Sequence, residues 1–164
     1  MIFVTVGTQF PFDRLIRAMD DAVAGGCVRD EVFAQVGRGG YRPRHMKWAE
    51  ELDKDTYSRY VKEASAVVGH AGTGTIVVAL EAGKPLLVMP RLSRLGEIVN
   101  DHQVRTARKF GEMGHILIAE NELEIPGKLR ELAVFVPRPR ITAVEPVVAR
   151  IGVFLASLDR EAGT

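Results

Sequence analysis

The chain has 164 residues, a net charge of +1, and 46% hydrophobic and 26% charged residues, the profile of one soluble globular domain with room for a full core. So balanced a charge supplies no global field to attract nucleic acid. The single cysteine, Cys27, excludes an internal disulfide and fits a reducing compartment, where it serves as a small apolar filler beside Gly26.

The start, Met1-Ile2-Phe3-Val4-Thr5-Val6-Gly7, has no basic n-region, and its apolar run is too short for a signal peptide. No window approaches the roughly 18 apolar residues of a membrane helix. The expectation is a cytoplasmic protein that can still lie against a membrane through a partner.

Apolar runs of strand length alternate with segments of helical period. Ile2–Val6 is a β-rich run that stops at Gly7. Phe12, Leu15, Ile16, Met19 and Val23 share one face of a helix over Phe12–Val23, with Pro11 suited to its first turn. Val32–Val36 is a second strand, ended by Gly37-Arg38-Gly39-Gly40, and the polar stretch from Tyr41 to Asp55 reads mostly as loop. A short helix over Tyr57–Ala64 and a third strand over Ala66–Val68 follow. A glycine-rich turn, His70–Thr75, then leads into a helix over Ile76–Ala82 that Gly83 closes. Leu86–Met89 is the fourth strand, ended by Pro90. Asn100–Glu112 is a helix closed by Gly114, His115–Ile118 the fifth strand, and Leu123–Leu132 a helix. Pro137-Arg138-Pro139-Arg140 is linker-like and precedes a last helix over about 144–158. Strands buried on both faces and separated by helices predict a Rossmann-like parallel α/β sheet. It forms a single domain over 1–164, with its core over about 1–133.

Chemistry concentrates in two places. In His70-Ala71-Gly72-Thr73-Gly74-Thr75, Gly72 and Gly74 let backbone amides approach a ligand without Cβ obstruction. The helix that follows presents free N–H groups and a positive dipole end. Thr73 and Thr75 add hydroxyls, and His70 can donate to the same oxygens. This suits a phosphate or diphosphate, although a tight strand–helix turn that binds nothing has the same signature. The spacing matches neither a P-loop nor a G-x-G-x-x-G turn. The second place follows the next strand: Pro90-Arg91, Gly96-Glu97, then Asn100-Asp101-His102-Gln103. Asn100 or Asp101 can cap the helix. Capping needs one such residue, whereas four adjacent donors and acceptors suit the hydroxyls of a sugar. A flavodoxin-like or phosphate-binding α/β protein is the alternative that this cluster argues against.

Together, His70–Thr75, Gly83-Lys84-Pro85-Leu86-Leu87-Val88-Met89-Pro90-Arg91 and Asp101-His102-Gln103 resemble the C-terminal domain of family 28 glycosyltransferases, the MurG-like group. The closer resemblance is to stand-alone members: PssE-type exopolysaccharide subunits and the catalytic subunit of the dolichol-linked N-acetylglucosaminyltransferase. Phe3–Gln9 with Pro11-Phe12, Gln35-Val36-Gly37-Arg38 and Ala64–Gly69 also match, so the resemblance runs from residue 2 to about 120.

The resemblance implies one half of a GT-B glycosyltransferase, the half that binds a UDP-sugar. His70, Gly72, Thr73, Gly74 and Thr75 would hold the diphosphate. Gln103 with His102, Asp101 and Asn100 would contact the sugar, near Arg91. Gly7, Thr8 and Gln9 would border the cleft by the phosphates, and Gly37 and Arg38 would lie near the base. One position departs from the family pattern. Val78 stands where an acid usually clamps the ribose hydroxyls. Glu81, one turn on and displaced by about 4–5 Å, is either a substitute or an ordinary exposed helix residue.

The activity implied is inverting hexosyl or glucuronosyl transfer, in exopolysaccharide or related glycan synthesis. The partner implied is a membrane-anchored, acceptor-binding subunit that brings a polyprenyl-linked acceptor and forms a heterodimer with this chain. The alternative is a non-catalytic nucleotide-sugar-binding or regulatory module with a degraded ribose site. No cofactor is expected, and no His/Asp spacing suggests a metal. Nor does a general base stand out: His45 sits in a basic loop and His115 opens a strand, each without a carboxylate partner in sequence. Arg38, Arg42, Arg44 and Lys47 cluster in one predicted loop, either simply solvated or facing phosphate or an anionic membrane. The apolar face of the last helix, from Val144 to Leu158, packs on its own sheet or docks the partner.

Overall fold

The computed structural model describes residues 1–139, so the helix expected over 144–158 lies outside the described residues. Six strands, β1 (Ile2–Thr5), β2 (Val32–Gln35), β3 (Lys47–Ala49), β4 (Ala66–His70), β5 (Leu86–Met89) and β6 (Leu117–Ile118), form one sheet in the order 3-2-1-4-5-6, every neighbouring pair parallel. Among the described residues five α-helices accompany them: α1 (Asp13–Ala24), α2 (Lys54–Glu63), α3 (Thr73–Glu81), α4 (His102–Glu112) and α5 (Ile125–Leu132). This is the doubly wound order. The chain reverses its direction of winding between β1 and β4, which opens a crevice at their carboxyl ends.

Alternation along the strands divides the core between the two faces. Val4 and Val6 join Leu15, Ile16, Met19, Leu129 and Leu132 in the layer of α1 and α5. Phe3 points the other way, into the layer that holds Val61, Ile76, Ala79 and Ala107 of α2, α3 and α4. Aromatic contacts seat α2: Tyr60 stacks on Phe33 at 4.3 Å and on Phe3 at 5.4 Å, and Tyr57 meets Phe3 edge-on. The helix begins three residues before the expected Tyr57 because Asp53 caps it, accepting from the amides of Asp55 and Thr56.

The largest departure from the sequence expectation is β3, which lies inside the stretch read as loop. Its strand character comes from outside itself. Asp20 of α1, only 1% exposed, accepts hydrogen bonds from the amides of Arg44 and His45 and from the Tyr41 hydroxyl, at 2.7 to 3.1 Å. Those bonds deliver Lys47–Ala49 to the edge of β2. Burial pushes the Asp20 carboxyl up, but the two amides and the phenol more than offset it and hold it below the usual range. Its stabilising effect is therefore present above the unfolded carboxyl value of about 3.9 and lost as pH falls through the folded one. Asp20→Ala is expected to destabilise the chain by about 3 kcal/mol, because three donors lose their acceptor. Urea denaturation at pH 7 measures this, and the deficit should shrink in acid.

Candidate functional site

A cleft of about 740 Å³ opens at the switch point, a size that suits a small organic ligand. Its floor is made by the carboxyl ends of β1, β2 and β4. Thr5, the last residue of β1, donates from Oγ1 to Gln35 Oε1 at 2.6 Å, and Gln35 Nε2 donates to the Gly7 carbonyl at 2.9 Å. The Gly7 amide returns to Thr5 Oγ1 at 3.2 Å. This closed circuit holds Gly7 at φ +77°, a left-handed conformation that glycine adopts without strain.

The His70 ring lies between two glycines. A Cβ on Gly7 would come within 2.7 Å of its Cε1, and a Cβ on Gly72 would overlap its Nε2. Its Nδ1 is buried without a hydrogen-bond partner among the described residues. Burial, followed by the nearby Arg91 charge, lowers the ring to about 4 against a slight opposing pull from the Thr5 backbone. At neutral pH His70 is therefore uncharged, with one ring nitrogen able to donate.

Arg91 lies beneath the loop that follows β1. It is 3% exposed. Its Nη2 donates to the Val6 carbonyl at 2.9 Å and to the Phe10 carbonyl at 2.6 Å, while Nε has no partner among the described residues. Burial holds this guanidinium below its ordinary value, with Glu97 opposing. The start of α3 completes the cradle. Gly72 is the N-cap residue without a side-chain cap, and Ile76 is the first residue to donate back to it, so the amides of Thr73, Gly74 and Thr75 have no intrahelical acceptor. Among the described residues no carboxylate lines this cleft, whereas Arg91 and Lys54 do. Such a place suits an anion with several oxygens.

Of the expected site residues, Gly7, Thr8, Gln9, His70, Gly72, Gly74, Thr75, Arg91, His102 and Gln103 line the cleft together. Gly37, Arg38, Thr73, Asn100 and Asp101 do not. Gly37 is occupied by Pro11, whose Cα would lie 3.2 Å from an added Cβ, and Arg38 pairs with Glu51 at 2.7 Å on the surface. Arg42 pairs with Glu50 and Lys47 with Glu31, while the backbone amide of Arg44 bonds Asp20.

The four-residue polar cluster largely holds its own loop. Asp101 accepts from the Ser93 amide, and Gln103 Oε1 accepts from the Arg91 amide at 3.1 Å. Asn100 Oδ1 takes both the His102 amide and its ring Nδ1. An oxygen bound by a backbone N–H is an acceptor, so Nδ1 of His102 donates in this bond. Glu81 does not line this cleft, whereas Val78 does.

The sequence reading passed over Gln35, Lys54 and Tyr57, which also line the cleft. Burial pushes the Tyr57 hydroxyl up, opposed by the neighbouring Thr75 and Thr5 hydroxyls. Gln35 had a signal: an amide ending an otherwise apolar buried strand demands partners. Tyr57 had only the Asp53 cap one turn before it.

Among the described residues no group of three or more His, Cys, Asp or Glu could hold a metal ion, and no helix is long and apolar enough to cross a membrane.

The model of the glycosyltransferase family 28 C-terminal domain matches residues 1–139. UDP-N-acetylglucosamine transferase subunit ALG13 of Mus musculus is 33% identical over 126 residues, covering 70% of this chain but 10% of the mouse protein. The protein of that name from Eremothecium gossypii is 42% identical over 151 residues, covering 70% of this chain and 72% of its own length. Among solved structures, the crystal structure of the kitacinnamycin glycotransferase superposes with a TM-score of 0.61 at 17% identity, over 81% of this chain and 34% of that one. The NMR solution structure of ALG13 gives 0.57 at 23% identity, over 92% and 93%. These two likenesses are of fold: the Rossmann-like parallel sheet that forms one half of a GT-B glycosyltransferase.

Proposed function

The chain belongs to the glycosyltransferase family 28 C-terminal domain family, and from that premise we propose that it is the donor subunit of a two-component inverting glycosyltransferase. It binds a UDP-sugar, and a separate membrane-anchored subunit presents a polyprenyl-linked acceptor, in exopolysaccharide or related lipid-linked glycan synthesis. It works in the cytoplasm, at the inner face of the membrane through that partner.

The observation that carries this reading is the cradle at the switch point. Arg91, the uncharged His70 held between Gly7 and Gly72, and the open amides of α3 converge on one cleft that no carboxylate of the described residues lines. Transfer requires the acceptor hydroxyl to attack the anomeric carbon while the UDP oxygen leaves with the bond's electrons. The cradle stabilises the negative charge that builds on that leaving diphosphate. The proton of the attacking hydroxyl goes to a base on the acceptor side. The relatives' printed name, UDP-N-acetylglucosamine transferase subunit, makes UDP-GlcNAc the first donor to test.

The test is a thermal-shift and calorimetric panel of UDP, UDP-GlcNAc, UDP-glucose, UDP-galactose and UDP-glucuronate, with sugar transfer assayed with and without the acceptor subunit. Saturation at a hundred times Kd should stabilise the fold by about 2.7 kcal/mol. A panel without any response sinks the proposal, and transfer by this chain alone sinks its two-component form.

Val78 favours a second reading, a binding module with a degraded ribose site. A valine against the cleft accepts no hydrogen bond from a hydroxyl, and Glu81 does not reach the cleft to replace it. UDP and 2′-deoxy-UDP are therefore expected to bind within about twofold of each other, whereas a ribose clamp would separate them by roughly tenfold or more. A large affinity gain for UDP in Val78→Glu supports the degraded site, and a loss supports a rearranged one.

A further inference from the structure

Arg14 does not line the cleft, yet its side chain is 14% exposed and fully engaged. From the first turn of α1 its guanidinium forms a fork with Glu97, Nε to Oε1 at 2.8 Å and Nη2 to Oε2 at 2.9 Å. Nη2 also donates to the Pro90 carbonyl at 3.1 Å, and Nη1 to Glu122 at 3.2 Å. Bonding to Glu97 raises the guanidinium above its ordinary value despite burial. The Glu97 carboxylate is 15% exposed and has a third bond, from the Leu92 amide at 2.9 Å.

Glu97 belongs to the segment between β5 and α4, whose only regular piece is one short 3-10 turn, Ser93–Leu95. Gly96, at φ +70°, turns the chain back so that Glu97 can close on Leu92. Asp101 closes the same loop on Ser93, a tie within the segment, and Gln103 ties Arg91 to the first turn of α4. Together with Nη2 of Arg91, the Arg14–Glu97 fork ties it to the body of the domain. The segment and the first turn of α4, to which it leads, place Ile98, Val99, His102 and Gln103 on one arm of the cleft, while the anion cradle, Arg91 apart, is built from other loops.

We infer that Arg14 is a positioning residue for the sugar moiety of the donor, acting through Glu97. This rests on the reading of the cleft as a nucleotide-sugar site. A planar fork is required: lysine offers a point charge without the paired geometry that fixes a carboxylate's orientation. With the fork lost, the loop is free to swing on Gly96, and Ile98, Val99 and the His102 ring, which Asn100 holds, no longer have one position. The nucleoside diphosphate is held by His70, the open amides of α3 and an Arg91 that keeps its own bonds to the Val6 and Phe10 carbonyls, and it should not notice.

The experiment compares the full chain with Arg14→Met and with Glu97→Gln, which preserves size at the other end of the fork. Affinities for UDP and for the sugar nucleotide that the wild type binds best are measured by calorimetry, and the Leu92 amide is followed by hydrogen exchange. UDP affinity is expected to stay within about twofold in both variants, while the preference for the sugar nucleotide over UDP falls by roughly tenfold, the effect of one lost charge-assisted contact. Leu92 exchange should accelerate. Arg14→Lys should recover less than half of the lost preference on a logarithmic scale. Equal loss for UDP and sugar nucleotide, or an unchanged preference, overturns the role of Arg14 and leaves the donor site standing. Absence of uridine-nucleotide binding by the wild type removes the donor reading itself, and with it this role.

Discussion

Gly72→Ala is expected to weaken UDP binding by roughly 10- to 100-fold, the worth of one hydrogen bond to a charged group, with little loss of stability. The backbone is not the reason. Gly72 has φ −75° and ψ 133°, where alanine is at home. The reason is the His70 ring, which a Cβ at this position would overlap. The ring has little room to retreat toward Gly7, because it already lies 2.7 Å from where a Cβ would stand on that side. It must leave the cradle and take its donor nitrogen with it. Gly7→Ala makes a useful contrast, since there the left-handed φ adds about 1–2 kcal/mol of backbone strain to the same collision. A double-mutant cycle isolates the cause. In a His70→Ala background there is no ring to displace, so Gly72→Ala should have no further effect on affinity. UDP affinity within twofold of wild type in Gly72→Ala would show that His70 does not touch the diphosphate.

How legible all this was in the sequence depended on where each feature's determinants lie. Leu86–Met89 was delimited correctly because four apolar residues between Pro85 and Pro90 have no other use. The strand Lys47–Ala49 was not visible, since its determinant is Asp20, 27 positions before Lys47 and on a helix. The helix start was placed at Asn100 instead of His102 because Asn100 and Asp101 have helical neighbours but use their side chains to close turns. That use also explains the cluster Asn100–Gln103: its density of polar groups signalled a built loop, of which two residues reach the cleft. Gly37-Arg38 follows β2, one strand away from the switch point, and Pro11 covers it. Strand order decides that, and strand order is a property of pairing across long separations that no local pattern encodes.

Arg91→Met should change the site's electrostatics without emptying it. Methionine keeps a long side chain but removes the charge and the two bonds to the Val6 and Phe10 carbonyls. Three results follow from one substitution. UDP affinity should fall by tenfold or more, since the buried cation nearest the cradle is gone. The His70 ring should titrate higher than its present value of about 4, because the Arg91 charge is the second cause of its depression; burial, the first, should still keep it below 6.5. The pH dependence of stability should narrow accordingly. In the wild type the unfolded chain binds a proton at His70 that the folded chain refuses, so stability is full above about pH 6.5 and falls as pH drops toward 4, by about 1.4 kcal/mol per unit at most. Raising the folded value moves the lower end of that window upward and reduces the loss. NMR titration of the His70 ring in both proteins, beside urea denaturation from pH 4 to 7, measures the second and third results without any ligand. A wild-type ring that titrates at or above 6.5 would mean the cradle is wet and open, and the uncharged donor assigned to His70 would have to be given up.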